Sequence, residues 1–387
     1  MNSLKKYKLF FLLLSLLFLP ACKKDTPLQE VNIDNTTVYK PTPYKIQAPW
    51  YFPTQMNIPA DNPLTVEGIA LGRMLFYDRR MSGRQAVDSQ MCCATCHLQE
   101  HAFECGLDGP FVNGQPIGIG GVPTPHVMLP LVNLVWQNNG YLWNGLIRPE
   151  NPVVSKRRLE DLVWMGVVAT HEMYSDTNKA RAALQNIPGY KPLFVKAFGT
   201  GNITFELMAK AIAQFIRSIV SCNSKFDKYL LGETSLTASE SNGFVLFVTE
   251  QGADCFHCHG GEGNPLFSTY LFYNNGKDTV FNDPRDRYAV TGNPADHGAY
   301  KAPSLRNCEL TGPYMHDGRY TTLDQVIDFY SEGLVGSPYV SPLMHKINAG
   351  GAHLTMQQKA DLKAFLLTLT DNDLLTNPAY SSPVTFP

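Results

Sequence analysis

One pentapeptide pattern occurs twice in this chain and limits what can be built around it. Cys93-Ala94-Thr95-Cys96-His97 and Cys255-Phe256-His257-Cys258-His259 stand roughly 160 residues apart, about one domain's length. Two thiols three positions apart can add across the two vinyl groups of one haem, and the adjacent His then supplies an axial nitrogen to the iron. Zinc would want a second Cys/His pair close by, and a redox dithiol would want a βαβ context; neither is present. The motifs therefore assign Cys93 and Cys96 to one covalent c haem with His97 as its proximal ligand, and Cys255 and Cys258 to a second with His259. His257, between the second pair of thiols, is expected to face outward.

The N-terminus fits such a cofactor. Lys5, Lys6 and Lys8 precede the apolar run Leu9 to Leu19, which ends Pro20-Ala21-Cys22. The run is too short to span a bilayer and reads as an export signal. A Cys directly after a small residue resembles the bacterial lipoprotein signal, with residues 1–22 as signal peptide and Cys22 lipidated; an ordinary signal peptide is the alternative. The expected place is the cell envelope, periplasm-facing or at the surface, with membrane contact only through the anchor. Residues 23–50 read as a polar tether. A net charge of −2 offers no basic field for nucleic acid. Four of the nine cysteines, Cys92, Cys105, Cys222 and Cys308, are left over, and four Cys allow three pairings. Cys92–Cys105 with Cys222–Cys308 is the favoured pairing, and buried free thiols are the alternative.

Helical signals dominate. Glu67 to Phe76 is amphipathic. Phe205 to Val220 places Met208, Ile212, Phe215 and Ile219 on one face behind Thr204 as N-cap. Thr237 with Glu240, Thr322 with Gln325 and Thr355 with Gln358 are capping boxes that open helices running to about Thr249, through Tyr330 and to about Leu369. Strand patterns are few. Long Gly/Pro stretches, Gly106 to Pro130 and Gly260 to Pro303, need something to organise them, and a large buried cofactor would do so. The reading is a mainly α protein of two helical domains with long loops, one covalent haem in each. They are residues 51–232 and 233–387, with the boundary near Lys228 to Ser235.

The second half carries Lys301-Ala302-Pro303-Ser304-Leu305-Arg306-Asn307, then Thr311-Gly312-Pro313-Tyr314-Met315-His316-Asp317-Gly318, then a helix ending Phe329-Tyr330. The first half carries Tyr141-Leu142-Trp143-Asn144-Gly145, Leu159-Glu160 and His171-Glu172-Met173. With two haem motifs in this order, the chain resembles the bacterial di-haem cytochrome c peroxidase family, which includes the methylamine-utilisation enzyme MauG. The resemblance spans about residues 51 to 370. It implies two cytochrome-c-like helical domains, with a peroxidatic haem in the N-terminal one, an electron-accepting haem in the C-terminal one and calcium between them.

The resemblance also implies roles. Glu172 matches the distal carboxylate that moves protons on hydrogen peroxide, work a carboxylate within hydrogen-bond reach can do; His171 beside it is a weaker candidate. The family often has a Gln ten residues before that Glu, where this chain has Leu162. Trp143 matches a tryptophan between the haems. Tyr330, on the inward face with Val326 and Ile327, is the candidate sixth ligand of the second haem. That position resembles a Met in the peroxidases and a Tyr in MauG; Met344 is the backup. A phenolate favours ferric iron more than Met does. His126 is the candidate on the distal side of the first haem, although His126-Val127 stands where the family usually has an Arg-Asn pair, which puts one calcium ligand in doubt. Backbone carbonyls of Thr311 and Pro313 match the other calcium ligands.

The leading expectation is a cytochrome c peroxidase that reduces hydrogen peroxide to water with electrons from a small periplasmic cytochrome or similar donor; a homodimer is compatible. The first alternative is a MauG-like oxidase that modifies protein side chains through a high-valent bis-haem state, favoured by Tyr330. The second, of another class, is a non-catalytic electron carrier, which would need no acid–base group such as Glu172.

Overall fold

The computed structural model describes residues 38–84, 91–107, 111–112, 115–147, 158–261 and 263–387. The first half carries α1 (Val66–Tyr77), a short hairpin of β1 (Phe111–Val112) and β2 (Gln115–Pro116), α2 (Leu159–Val168), α3 (Thr177–Gln185), α4 (Tyr190–Phe198) and α5 (Phe205–Ser218). The second carries α6 (Lys225–Leu230), α7 (Ala238–Phe247), α8 (Phe256–His259), β3 (Phe272–Tyr273), α9 (Tyr288–Thr291), β4 (Tyr300–Lys301), α10 (Leu323–Glu332), α11 (Met356–Leu367) and α12 (Asn372–Thr376). The antiparallel pair β3–β4 sets Phe272 opposite Lys301 and Tyr273 opposite Tyr300. Among the described residues no helix is long and apolar enough to cross a membrane. Cys22 and its flanks lie outside the described residues.

The starts of the helices are where local chemistry puts them. Thr204 accepts a hydrogen bond from Leu207 N, and the boxes at Thr237, Thr322 and Thr355 all close. A side-chain cap of this kind contributes about 1 kcal/mol by satisfying an amide the helix cannot. The helices stop a little earlier than the apolar pattern, at Ser218, Phe247 and Leu367.

Each half is built on one tight helix pair. In the first, α1 lies against α5, and a Cβ on Gly72 would fall 1.9 Å from the Ala211 carbonyl oxygen. In the second, α7 lies against α11, and a Cβ on Gly243 would fall 1.9 Å from the Asp361 carbonyl oxygen. Only glycine lets these backbones approach so closely. Around the first pair gather Leu71, Phe76, Ile212 and Phe215; around the second, Phe226, Phe247, Phe267 and Phe365, whose neighbouring rings have centroids 5.2 to 6.1 Å apart. Such rings each bury a large apolar area and prefer tilted or edge-on contact.

The chain crosses between cores more than once. Thr42 to Ile46, at the end of the segment read as a tether, is docked: Val66 N donates to Thr42 O, Tyr44 N donates to Leu64 O, and Ile46 is buried. Leu374, Ala379 and Tyr380, near the C-terminus, return to the first core, where the Tyr380 hydroxyl donates to Ser218 O at 2.9 Å.

A fully buried ion pair sits at the crossing. Arg306 grips Asp227 through both carboxylate oxygens at 2.6 and 2.8 Å, while Tyr51 and Ser224 also donate to that carboxylate. Burial alone would raise the Asp227 carboxyl; the Arg306 charge outweighs it and holds the group below the ordinary carboxylate range. The pair's contribution is therefore complete at neutral pH and is lost on acidification through that lowered value. Arg306→Ala strands a buried carboxylate and is expected to lower stability by about 3–5 kcal/mol, read as an earlier denaturant midpoint. The double change Arg306→Met with Asp227→Leu should cost less.

Candidate haem sites

Each Cys-x-x-Cys-His segment is a single turn that lines a largely apolar cavity. In the first, His97 N donates to Cys93 O at 2.9 Å, and Cys93, Cys96 and His97 all border a cavity of about 450 Å³. In the second, His259 N donates to Cys255 O at 3.0 Å, and Cys255, Cys258 and His259 border a cavity of about 210 Å³. All four thiols are free. Burial lifts those of Cys96, Cys255 and Cys258 to about 12, and that of Cys93 further.

The two imidazoles are set alike. His97 Nδ1 donates to Phe103 O at 2.8 Å and His259 Nδ1 to Pro303 O at 3.1 Å. A carbonyl only accepts, so the proton is fixed on Nδ1 and Nε2 keeps its lone pair. Burial brings both rings down to about 4, so they are neutral ligands at physiological pH. Buried Lys301 borders both cavities, brought down to about 7 first by burial and then by Arg287, and among the described residues the buried Tyr270 hydroxyl on the first cavity has no partner. An apolar slot with two thiols and an oriented imidazole, the first with an unsatisfied hydroxyl at its edge, fits a covalent c haem.

Glu172 lines the first cavity. It stands on the turn after α2, where Glu172 N and Tyr174 N both donate to Ala169 O. The loop of residues 118–120 lies across this turn: Ile119 N donates to Glu172 O at 2.9 Å and Gly120 N to Thr170 O at 3.1 Å. Among the described residues the carboxylate takes no hydrogen bond, and burial lifts it to about 7. His171 borders the same cavity with Nε2 3.9 Å from the Glu172 carboxylate, and Leu162 lines it too, supplying no second hydrogen-bonding group there.

Trp143 borders both cavities, its indole N–H donating to Val127 O at 2.8 Å and its ring edge-on to His316 at 6.4 Å. Val326, Ile327 and Tyr330 line the second cavity, as does Met344. Burial raises the Tyr330 phenol, while Asn275 Nδ2, donating to its oxygen at 3.0 Å, favours the anion. His126 reaches the other way from its expected role: Nε2 meets Asp283 at 2.7 Å, although the residue still borders the first cavity. His257 is half-buried rather than turned fully outward.

Two expectations change. Cys92, Cys105 and Cys308 are free thiols, so neither Cys92–Cys105 nor Cys222–Cys308 forms. The buried Cys105 thiol instead donates to Glu104 at 3.0 Å, and Cys92 lies beside Thr95. For calcium, Thr311 is half-buried and Pro313 buried, and among the described residues no His, Cys, Asp or Glu cluster of metal-ligand spacing forms on them. Two carbonyls fall short of the six to eight oxygens calcium takes. The residues present do not by themselves define a calcium site.

Sequence reasoning missed the loop at Gly118, Asn275, and the pairing of His126 with Asp283. Lys301 and His316 were visible only as members of longer runs.

Two helical cores, each presenting a Cys-x-x-Cys-His turn to an apolar cavity, with an unpaired carboxylate in one of them, describe a haem oxidoreductase of the c type. The family model for di-haem cytochrome c peroxidase matches residues 66–235. The methylamine utilization protein MauG of Methylorubrum extorquens is 33% identical over 319 residues, 82% of each chain. The cytochrome-c peroxidase IdrP1 of a Pseudomonas species is 31% identical over 350 residues, 82% of this chain and 84% of the relative. Among solved structures, a MauG-like protein associated with microbial copper homeostasis superposes with TM-score 0.75 at 34% identity, covering 88% of this chain and 99% of that one. The chain belongs to the di-haem cytochrome c peroxidase family, which includes MauG, and haem c is its cofactor class.

Gly118 positions Glu172. A Cβ there would fall 2.2 Å from the His171 carbonyl carbon and 2.4 Å from Glu172 N, backbone atoms that cannot yield. Gly118→Ala should keep the haem content, measured as a pyridine haemochrome, yet lower peroxide turnover by about 10²-fold through misplacement of the carboxylate.

Proposed function

We propose that this protein reduces hydrogen peroxide to water, drawing electrons from a small donor such as cytochrome c, with one covalent c haem in each cavity. The observation that carries this reading is that Glu172 and the first Cys-x-x-Cys-His turn line one apolar cavity. Relatives named cytochrome-c peroxidase support it. A bound c haem supplies a redox-active iron at which the oxygen–oxygen bond is cleaved.

The chain supplies the rest. His97 and His259 offer neutral Nε2 atoms held in orientation by backbone carbonyls. Glu172, which among the described residues has neither a charged partner nor a hydrogen bond to stabilise its charge, takes a proton from one peroxide oxygen and returns it to the other, which leaves as water. Trp143, on both cavities, offers an aromatic step between them. Residues 1–22 serve as the export signal with Cys22 as lipid anchor, so the donor is a small protein of the cell envelope. An electron carrier would have no use for a carboxylate so placed.

Glu172→Gln should retain two haems per chain and lose about 10²–10⁴-fold in peroxide turnover with a reduced cytochrome. As a base, Glu172 must be deprotonated, so the parent rate should rise with pH through about 7 and the variant should lack that limb. A variant that turns over peroxide at the parent rate would move the role to His171.

A MauG-like oxidation of protein side chains is the second reading, supported by Tyr330 and its Asn275 donor in the second cavity and by similarity to the methylamine utilization proteins. If Tyr330 ligates, Tyr330→Met should change the resting ferric spectrum and raise one haem potential. An unchanged spectrum and potential would leave Tyr330 as packing and favour ordinary peroxidase action.

A further inference from the structure

Behind the second haem-attachment turn, four side chains from three segments converge on one spot. Glu250 and Asp254 come from the turn after α7, His257 from α8 and His345 from the turn before residues 347–349. One nitrogen of each imidazole and one Glu250 oxygen lie within 4.8 Å of one another. His257 Nε2 is 3.6 Å from Glu250 Oε1, and the two rings meet edge-on with centroids 4.8 Å apart.

Asp254 makes this more than a surface coincidence. Its carboxylate is 5% exposed and takes both rings at once, His257 Nδ1 at 2.6 Å on one oxygen and His345 Nδ1 at 3.1 Å on the other. His257 Nδ1 is thus committed as donor, which leaves its Nε2, the atom nearest Glu250, with its lone pair, and the same carboxylate holds His345 through its Nδ1 edge. This is the arrangement by which a carboxylate orients imidazoles toward a metal. Asp254 does not serve α8 as a side-chain cap, and it holds a left-handed backbone conformation, φ 58°. Its turn is fixed by Ala253 N to Leu246 O at 2.8 Å and Cys255 N to Phe247 O at 3.2 Å.

We propose that Glu250, His257 and His345 bind one divalent transition-metal ion of the zinc or copper class, with Asp254 orienting both imidazoles. The donor set decides the class. Two imidazole nitrogens and one carboxylate suit zinc or copper, whereas calcium and magnesium take oxygen. Three protein ligands leave a position open to water or a small anion. The ion sits on the haem-attachment turn itself, since His257 lies between Cys255 and Cys258 and His345 also borders the second cavity. The site stands on the chain's own residues and does not depend on which peroxide-driven reaction the enzyme performs.

The test uses the untagged, chelator-washed holoprotein. Calorimetric titration with zinc chloride should show one zinc per chain. His345→Ala and Glu250→Gln should each weaken binding at least about 10-fold, and Asp254→Asn about 10–100-fold. His353→Ala, an exposed His outside the cluster, should leave binding unchanged. With copper(II) as probe, electron paramagnetic resonance should show two nitrogen couplings in the parent and one in His345→Ala. Haem content and far-UV circular dichroism identify variants that have folded. Glu250 is exposed, so its variant carries the test if Asp254→Asn does not fold. A parent that takes up no zinc, or variants that bind as tightly as the parent, would overturn the proposal.

Discussion

The seam between the loop of residues 124–145 and the loops of residues 271–317 sets the geometry on which the two cavities depend. Both stretches carry only short pieces of regular structure, so much of their backbone is satisfied across the seam. Lys301 N donates to Trp143 O at 2.8 Å, Val127 N to His316 O at 2.9 Å, and the Arg287 guanidinium to Asn144 O at 2.7 Å. Losing a buried bond of this kind strands a polar group at about 1–3 kcal/mol. Trp143 is tied at its backbone to the second half and at its indole to Val127, which is why one side chain can border both cavities. The Tyr51 hydroxyl, donating to Asp227 at 2.9 Å, ties the first half to the buried Arg306–Asp227 pair as well.

Burial then sorts the ionisable groups by what each finds beside it. Glu160 and Glu172 belong to the same short stretch of chain. Burial would raise Glu160, but Arg217, held through both carboxylate oxygens, keeps it below the ordinary range. Glu172 meets no Lys or Arg among the described residues, and burial lifts it to about 7. The first is structural; the second can exchange a proton near neutrality, as an acid–base group must. The same burial strips the proton from His97 and His259, which suits them as ligands.

The second haem-attachment turn carries two layers of ligand chemistry. Its thiols and His259 face the cavity, while His257 joins His345 and Glu250 behind it. A cation there would add positive charge beside a redox centre, where local charge tunes potential. This gives the residue between the two thiols a role that haem attachment alone does not require.

The sequence alone determined the two Cys-x-x-Cys-His turns, the places of His97 and His259 on them and the main helix starts. These are local: a fixed Cys-x-x-Cys-His spacing and a capping residue three positions from its partner act within a turn or two, whatever the rest of the chain does. The inward face of α10 was legible for the same reason, because Val326, Ile327 and Tyr330 follow helical spacing. Glu172 and Trp143 were singled out only through family resemblance, since no periodicity marks a residue in an irregular loop. The cysteines show the limit most plainly. Counting left four thiols to pair, and only the fold shows Cys105 turned to Glu104 and Cys308 left free in the second core. Only the tertiary structure decided that Gly118 lies against Glu172, that His126 turns to Asp283, and that Asp254 holds both His257 and His345. Those contacts join residues far apart in the chain, and which partners meet is set by how the long loops satisfy their buried polar groups, a condition no local pattern encodes.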